Sequence, residues 1–222
     1  MHYDATGRNH GLKFDPFKAL VTPRPIGWVS TLGADGVLNL APYSFFNAVS
    51  DRPPYVMFSS AGRKDSLRNL LASGEFTCSI ASWALRDAMN LSSAAVAPGV
   101  DEFALAGLTP APSRFVKPPR VAQSPAALEC KVWQTLDIPS QQPGDASTYT
   151  VVFGRVVGIY IDDAVIADGQ VQTALMRPLA RLGYMDYAVV TPETVFSLNR
   201  PQASADGLQA SVVPGPWDGV YR

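Results

Sequence analysis

The sequence predicts a mainly β protein that closes into a barrel and carries a few short helices. Three observations lead to this fold class. About five or six short runs have the composition and alternation of β-strands, and two helical patterns follow the fourth run. The 17 glycines and 19 prolines among 222 residues supply the turns that short strands need. An open sheet of this size would leave its edges unpaired, so a closed barrel is favoured.

The first half of the chain carries the clearest strand patterns. A hairpin-type turn at Gly33-Ala34-Asp35-Gly36 joins the first two strands, and a turn at Asp51-Arg52-Pro53-Pro54 follows the third. The predicted strands are residues 26–32, 37–41, 44–49, 55–59 and 76–81.

Two helices are predicted among these strands. Leucines three and four residues apart predict a helix over residues 65–73, with Asp65 as its N-cap and Gly74 just after its end. Ser82 is predicted to cap a second helix over residues 83–91.

The second half is less regular. Residues 92–126 are interpreted as an ordered surface excursion with a helical stretch at 101–106, because Phe103, Leu105, Leu108 and Phe115 need burial. Strands are predicted for residues 128–136, 149–161, 187–190 and 195–198. A polar loop is predicted for residues 137–148, and no regular structure is predicted from Arg200 onward.

The composition excludes several kinds of chemistry. Eighteen Lys and Arg residues against 19 Asp and Glu residues give a net charge of −1, so there is no basic footprint for nucleic acid. The two histidines, His2 and His10, lie near the N-terminus, which leaves too few ligands for a zinc site and disfavours a Ser-His-Asp mechanism. Cys78 and Cys130 are interpreted as buried thiols. We therefore expect no metal site and no catalytic side chain, and chemistry supplied by a bound cofactor.

Targeting signals are not evident in the sequence. The first residues lack the apolar stretch of a signal peptide, and no apolar run reaches the roughly 18–20 residues of a membrane helix. We expect a soluble, cytoplasmic protein that binds neither nucleic acid nor a membrane. The four tryptophans are interpreted as core or interface packing.

A possible phosphate site lies at the start of the first helix. The run Arg63-Lys64-Asp65-Ser66 combines cations and a hydroxyl with the unpaired amides of a helix N-terminus, and Ser59 and Ser60 stand just before it. The alternative interpretation is a capped surface helix whose charges are solvated.

Two nearby segments could accept a flat ring. One is the strand Trp28-Val29-Ser30-Thr31, which carries small hydroxyls, and the other is Asn39-Leu40-Ala41-Pro42-Tyr43-Ser44, in which small residues leave the backbone accessible. The alternative is an ordinary barrel strand with Ser and Thr facing solvent.

Taken together, these segments resemble the flavin reductase-like family, whose members have the FMN-binding split β-barrel fold of the flavoredoxin type. The resemblance rests on TPRPIGWVSTLGADGVLNLAPYSFFNAVSDRPPYVMFSS and RKDSLRNLLASGEF, and continues through DEFALAGLTPAPS, LEC, VFGRVVGIYIDD and PLARLGYMDY. It makes residues 14–200 the family domain, between a lead-in of residues 1–13 and an extension of residues 201–222. Two positions depart from the family pattern. A histidine is common just before the strand that begins near Tyr149, where this chain has Ser147-Thr148-Tyr149, and Ser66 stands where a threonine is common.

The resemblance implies a homodimer that holds FMN, with FAD less favoured, and that transfers hydride from NADH or NADPH to the flavin. It also implies a partner monooxygenase that uses the reduced flavin. No dinucleotide-binding GxGxxG motif follows a predicted strand, so the nicotinamide donor would bind in a surface groove beside the flavin. The alternatives are an FMN-holding electron-transfer protein with poor nicotinamide turnover, and a β-barrel interaction module without flavin.

The resemblance further implies a set of cofactor-binding residues. Those expected along the ring and the ribityl chain are Val29, Ser30, Thr31, Asn39, Ala41, Pro42, Tyr43 and Ser44. Those expected around the phosphate are Ser59, Ser60, Arg63, Lys64, Asp65 and Ser66. Arg24 is expected near the phosphate or the ring edge, and Arg181 and Tyr184 are expected to approach from the C-terminal half.

Overall fold

The computed structural model describes residues 1–7, 9–140 and 148–220, which belong to two units, Met1–Val190 and Thr191–Arg222. The strands, in chain order, are β1 (Arg24–Pro25), β2 (Gly27–Leu32), β3 (Leu38–Tyr43), β4 (Phe46–Asp51), β5 (Pro54–Ala61), β6 (Glu75–Ile80), β7 (Pro110–Ala111), β8 (Arg120–Val121), β9 (Ala126–Pro139), β10 (Thr148–Ile161), β11 (Ile166–Ala167), β12 (Gln170–Val171), β13 (Leu179–Arg181), β14 (Tyr187–Val189), β15 (Gln202–Ala203) and β16 (Ala210–Ser211). The helices are α1 (Phe17–Leu20), α2 (Asp65–Ser73), α3 (Arg86–Leu91), α4 (Glu102–Leu105) and α5 (Thr173–Met176). Short 3₁₀ helices lie at Trp83–Leu85, Asp163–Val165 and Pro192–Thr194.

Seven antiparallel strands form one sheet in the spatial order β3–β2–β6–β9–β10–β5–β4. Side chains from all seven strands meet in a single core cluster, which a flat sheet could not achieve. The sheet therefore curls on itself. Tyr43 of the edge strand β3 packs against Phe58 of β5 with ring centroids 4.6 Å apart. The mainly β barrel expected from the sequence is confirmed.

Helix α2 packs against this core through its leucines. Leu67 and Leu70 are buried in the cluster, and Gly74 ends the helix in a left-handed conformation with φ of 72°. The predicted span is confirmed, but the predicted N-cap is wrong. Lys64 occupies the N-cap position, and Asp65 is the first helical residue. Asp65 instead forms an ion pair of 2.7 Å with Arg68, one turn along the helix.

A second apolar cluster lies on the opposite side of β2. Trp28 and Val29 are neighbours on this strand, so their side chains face opposite sides, and Trp28 packs with Phe103 of α4. Residues 92–126 form an ordered excursion over this cluster. The expected burial is confirmed for Phe103 and Leu108 but wrong for Leu105 and Phe115, which are 40% and 53% exposed.

Several bounds differ from the sequence prediction. Strand β9 continues to Pro139 and β10 begins at Thr148, because the two long strands pair with each other through these polar residues. A polar composition alone indicates a loop, so the sequence prediction ended β9 too early. Residues 141–147 of the predicted loop lie outside the described residues. Residues 195–198 do not form a strand, whereas β15 and β16 pair in the extension predicted to lack regular structure.

The helices are short. The helix predicted over residues 83–91 consists of the 3₁₀ helix Trp83–Leu85 followed by α3, and α2 has nine residues. In the described ranges, no helix has the length and apolar character needed to cross a bilayer.

The two cysteines are buried in the barrel core, as predicted from their apolar strand context. Burial raises the pKa of Cys78 to about 12 and raises the pKa of Cys130 well above its ordinary value. Both therefore remain protonated thiols at neutral pH, which is the inert state of a structural cysteine.

Candidate functional site

A cleft of about 320 Å³ opens where β1, β3, β5, β10 and β13 meet the N-terminal cap of α2. Its volume falls within the roughly 300–1,000 Å³ typical of ligand pockets. The lining residues come from segments far apart in the sequence. They are Lys18, Arg24, Ile26, Pro42, Tyr43, Ser44, Phe45, Ser59, Ala61, Lys64, Met89, Ser93, Tyr149, Arg181, Tyr184 and Tyr187.

The charge of this cleft is one-sided. Four of the lining side chains are cationic, namely Lys18, Arg24, Lys64 and Arg181, and none of the described lining residues is acidic. A concave surface with one sign of charge concentrates ligands of the opposite sign. Five further lining residues are aromatic, so the site suits an anion that carries a flat, apolar group.

Arg24 forms a buried wall of the cleft. Only 5% of its surface is exposed, and its guanidinium donates to the carbonyl oxygens of Lys18, Val21 and Leu182, the last at 2.8 Å. Its Nε has no hydrogen-bond partner. Burial, together with the positive charge of Arg181, lowers the pKa of Arg24 from its ordinary value.

A close backbone approach brings Lys18 to the same wall. A Cβ atom at Gly183 would lie 2.6 Å from the Cβ of Ala19, so the absence of a side chain there lets α1 rest on the turn after β13. Lys18 is the neighbour of Ala19 on this helix, and its carbonyl accepts from Arg24. The N-terminal helix is therefore part of the site.

The turn after β13 places a further cation at the cleft. Arg181 donates to the hydroxyl of Tyr187, to the carbonyl of Tyr184, and to the sulfur of Met185 at 3.5 Å. Its guanidinium carbon lies 4.4 Å from the centroid of the Tyr187 ring. Tyr184 adopts a left-handed conformation with φ of 52°, which for a residue with a Cβ is uncommon and is found at sites that a fold holds in place.

Tyr43 connects the cleft with the interior. Its ring lines the cleft, while its hydroxyl is buried and has no hydrogen-bond partner. Burial raises the pKa of Tyr43, and the nearby hydroxyls of Ser66 and Ser60 oppose that rise. The ring thus lies between the barrel core and the open cleft.

A buried polar network lies behind this wall. Ser66 Oγ and Thr31 Oγ1 both donate to Asn39 Oδ1, at 2.6 and 3.2 Å. Asn69 Nδ2 donates to Thr31 Oγ1 at 3.2 Å, and Asn39 Nδ2 donates to Glu102 Oε2 at 3.0 Å. Burial raises the pKa of Glu102 above its ordinary value of 4.5. The network fixes α2 to β2 and β3, and so positions the N-cap of α2 at the cleft.

The structure brings about half of the expected cofactor residues into the cleft. These are Arg24, Pro42, Tyr43, Ser44, Ser59, Lys64, Arg181 and Tyr184.

The other expected residues lie elsewhere. Val29 is buried in the core cluster and Ala41 packs against it, while Thr31, Asn39 and Ser66 belong to the polar network. Two serines donate to backbone carbonyls: Ser30 to that of Pro119, and Ser60 to that of Gly62 at 3.3 Å. Arg63 is exposed and does not line the cleft. Asp65 lines a separate cavity of about 260 Å³ beside the β2–β3 turn.

Sequence reasoning missed half of the cleft. The residues that it did not single out are Lys18, Ile26, Phe45, Ala61, Met89, Ser93, Tyr149 and Tyr187. For Phe45 a signal existed, because it directly follows the segment that was singled out. For Lys18 and Tyr149 there was none, since they reach the site only through packing between distant segments.

The fold and the cleft define a class: a curled antiparallel barrel with a cationic, aromatic ligand site. The family model described as "Flavin reductase like domain" matches residues 20–185. The chain belongs to the flavin reductase-like family.

Solved structures agree with this assignment. Nitrilotriacetate monooxygenase component B from Bacillus cereus is 30% identical, with a TM-score of 0.78 over 89% of this chain and 98% of that chain. The 2-nitrobenzoate 2-nitroreductase of Pseudomonas fluorescens is 27% identical, with a TM-score of 0.79 over 92% of this chain and 100% of that chain. A protein with a split barrel domain from Shewanella frigidimarina NCIMB 400 is 20% identical and shows the fold, with a TM-score of 0.70 over 85% of this chain and 94% of that chain. The split β-barrel is thereby confirmed, and family membership supports a flavin-binding oxidoreductase as the class of this protein.

The raised pKa of Glu102 makes a prediction about stability. A carboxyl whose pKa is higher in the folded than in the unfolded protein binds more protons when folded, so it stabilises the fold less as pH rises. The variant Glu102→Gln keeps an amide oxygen for Asn39 but does not ionise. We expect the free energy of unfolding of the wild type to fall relative to this variant between about pH 4 and pH 8.

Urea unfolding of both proteins across that range checks this. Matching denaturant slopes at each pH serve as the control for an unchanged fold. Two stability curves that run parallel with pH would contradict the prediction.

Proposed function

We propose that this protein is an NAD(P)H-dependent oxidoreductase that holds FMN in the cationic cleft. One observation carries the proposal: the cleft combines four cationic and five aromatic side chains with no acidic one among the described lining residues. FMN has the matching chemistry, since it joins a phosphate to a flat ring system. A volume near the lower end of the usual range favours FMN over the larger FAD.

The phosphate would be held at the N-cap of α2. Lys64 lines the cleft at this position, and the first amides of a nine-residue helix lie directly behind it. Ser59 on β5 adds a hydroxyl donor to the same wall. A lysine, a hydroxyl and a helix N-terminus together bind a phosphate through charge and directed hydrogen bonds.

The ring system would lie along the turn between β3 and β4. Pro42 has no amide hydrogen and Ser44 is small, so a flat group can approach the backbone here. The Tyr43, Phe45 and Tyr149 side chains also line the cleft, and the ring centroids of Phe45 and Tyr149 are 6.4 Å apart. These rings exclude water and fix the plane of the ligand.

In this proposal the cleft residues would hold a flavin, whose ring would supply the two-electron chemistry of hydride transfer from a reduced nicotinamide. The task of the protein is then positioning and electrostatics. Arg24 and Arg181 keep positive charge at the cleft, which favours an anionic reduced cofactor. None of the described lining residues is a carboxylate or a histidine, in keeping with a reaction that needs no general acid or base.

The electron acceptor in this proposal is a partner monooxygenase. The support is the similarity to a protein named as component B of a nitrilotriacetate monooxygenase, at 30% identity. An electron-transfer protein that takes electrons from another protein is the second candidate, since the cleft geometry serves both.

A second copy of this chain is proposed to cover the outer face of β9. Trp133, Leu136 and Ile138 are 62%, 51% and 50% exposed there, and Trp133 contacts the ring of Tyr55 at 5.3 Å. Apolar side chains grouped on one sheet face are typical of an interface.

Binding of FMN tests the phosphate site. The variant Lys64→Ala should weaken FMN binding by about 1–3 kcal/mol, or about 5- to 150-fold, because a charged hydrogen bond to the phosphate is lost. Riboflavin lacks the phosphate, so its affinity should stay the same. Fluorescence titration with both flavins measures this.

The matched control is Lys117→Ala, since Lys117 is an exposed lysine that does not line the cleft. An equal loss of affinity for FMN and riboflavin, or a loss in the control variant, would place the phosphate elsewhere. A purified protein that takes up no flavin would refute the flavin proposal as a whole.

Rapid mixing tests the electron donor. The FMN-loaded protein, mixed without oxygen with NADH or NADPH, should lose its visible flavin absorption at least as fast as it turns over. Slow bleaching with both donors would favour the electron-transfer candidate.

Sedimentation velocity tests the proposed dimer. The wild type should sediment as a dimer, and Trp133→Ser should shift it towards monomer because the apolar contact is lost. Leu105→Ser, at an exposed leucine of α4, is the control that should leave the dimer intact. A monomeric wild type would exclude this interface.

A further inference from the structure

An aromatic and cationic cluster stands beside the cleft and is separate from its lining. It consists of Trp83, Arg86 and Arg177, which we call the rim cluster. The guanidinium carbons of Arg86 and Arg177 lie 4.4 and 5.8 Å from the centroid of a Trp83 ring. One indole thus carries two guanidinium groups at its surface, and Trp83 is 40% exposed.

The cluster is built by the fold and not by chance contact. The Trp83 amide donates to the Arg177 carbonyl at 2.9 Å, and Arg86 Nη1 donates to the Trp83 carbonyl at 3.1 Å. A bridge between Ser82 and Pro178 ties the two segments together. Arg177 sits at the end of α5 in a left-handed conformation with φ of 47°, which a residue with a Cβ adopts rarely.

Its position relative to the cleft follows from two elements. Arg86 precedes Met89 by three residues on α3, so their side chains share one helix face, and Met89 lines the cleft. Arg177 precedes Arg181 by four residues, which separates their Cα atoms by at most about 14 Å. The rim cluster therefore lies alongside the cleft, within the span of a dinucleotide whose nicotinamide reaches into it.

The charge of the rim cluster remains available to a ligand. Arg86 Nη2 forms an ion pair of 3.3 Å with Asp87, whose side chain is 87% exposed, and such an exposed pair is weak and easily exchanged. Among the described residues, no carboxylate lies within ion-pair distance of Arg177. Two guanidinium groups on one aromatic surface suit a phosphate next to a flat base, because guanidinium binds phosphate through paired hydrogen bonds and also stacks on rings.

We propose that the rim cluster binds the adenosine end of NADPH, with Arg177 and Arg86 on its 2′-phosphate, and so makes NADPH the preferred donor. This inference rests on the proposed function, because a nicotinamide donor must approach the cleft. NADH lacks the 2′-phosphate and forgoes both guanidinium contacts. Trp83 was interpreted from the sequence as a packing residue. In this proposal its indole is the surface on which both arginines lie, outside the cleft lining.

Binding of two nucleotide fragments to the FMN-loaded protein tests the site without any turnover. Calorimetric titration should show that 2′,5′-ADP binds at least about tenfold more tightly than 5′-AMP, since only the first carries the 2′-phosphate. The variant Arg177→Asn should abolish that difference. Asparagine tolerates the left-handed conformation, so the turn is kept. Arg86→Ala should reduce the difference independently.

The control is Arg114→Ala, at an exposed arginine that lies over the ring of Phe115 at 5.5 Å and lines no part of the cleft. In rapid mixing, Arg177→Asn should slow flavin reduction by NADPH about tenfold or more and leave reduction by NADH within about twofold. Equal affinity for both fragments, or a preference that survives both variants, would overturn the inference. That result would leave flavin uptake and reduction intact, whereas a protein that binds no flavin would refute the proposed function itself.

Discussion

The buried guanidinium of Arg24 is the constraint on which the cleft depends. It is a charged group with 5% of its surface exposed, and among the described residues no carboxylate neutralises it. Its two terminal nitrogens donate to the carbonyl oxygens of Lys18, Val21 and Leu182 instead, while its Nε has no partner. Those three acceptors belong to the N-terminal helix and to the turn after β13, so one side chain joins two ends of the first unit. Leaving such a charge without these acceptors would cost several kcal/mol.

This arrangement explains why the cleft keeps an unbalanced charge. Carbonyl groups accept hydrogen bonds from the terminal nitrogens of Arg24, but their partial charges do not cancel its unit charge. Arg181 adds a second cation close enough to help lower the pKa of Arg24. None of the described cleft residues is acidic, so an anion that binds beside these two cations would stabilise the folded protein, because a ligand that binds only the folded state shifts the equilibrium towards it. The site is therefore organised for a bound anion.

The sequence predicted the parts of this molecule that depend on local patterns. The span of α2 followed from leucine spacing, and the hairpin of β2 and β3 followed from a turn rich in glycine. Lys64 could be singled out because a helix start is a local feature, and its side chain lines the cleft. Lys18, Tyr149 and Tyr187 could not be found this way, since strand pairing and the contact of α1 with Gly183 bring them in.

The alternation of side chains along a strand explains why several residues expected to bind the cofactor face the interior. Consecutive residues of a strand face opposite sides, so at most half of a strand can reach one ligand. In β2 both sides are covered, one by the barrel core and one by the apolar cluster of Trp28. Ser30 and Thr31 are consequently fully buried, and their hydroxyls bind protein groups. A hydroxyl-rich strand resembles a ligand site in the sequence whenever the layer that covers it is distant along the chain.

The chemistry of the cleft lining cannot by itself distinguish one nucleotide from another, so the residues around the cleft matter for specificity. Lysine, arginine and aromatic side chains attract an anion with a flat ring, and this description fits every nicotinamide and flavin nucleotide alike. Such a lining gives affinity but little discrimination, because specificity requires a contact that one ligand makes and its competitor lacks. NADH and NADPH differ only at the 2′ position of the adenosine ribose, far from the reacting ring. In the proposed reaction, discrimination between them would therefore come from residues outside the cleft, and the two guanidinium groups beside the indole of Trp83 are the residues proposed for it.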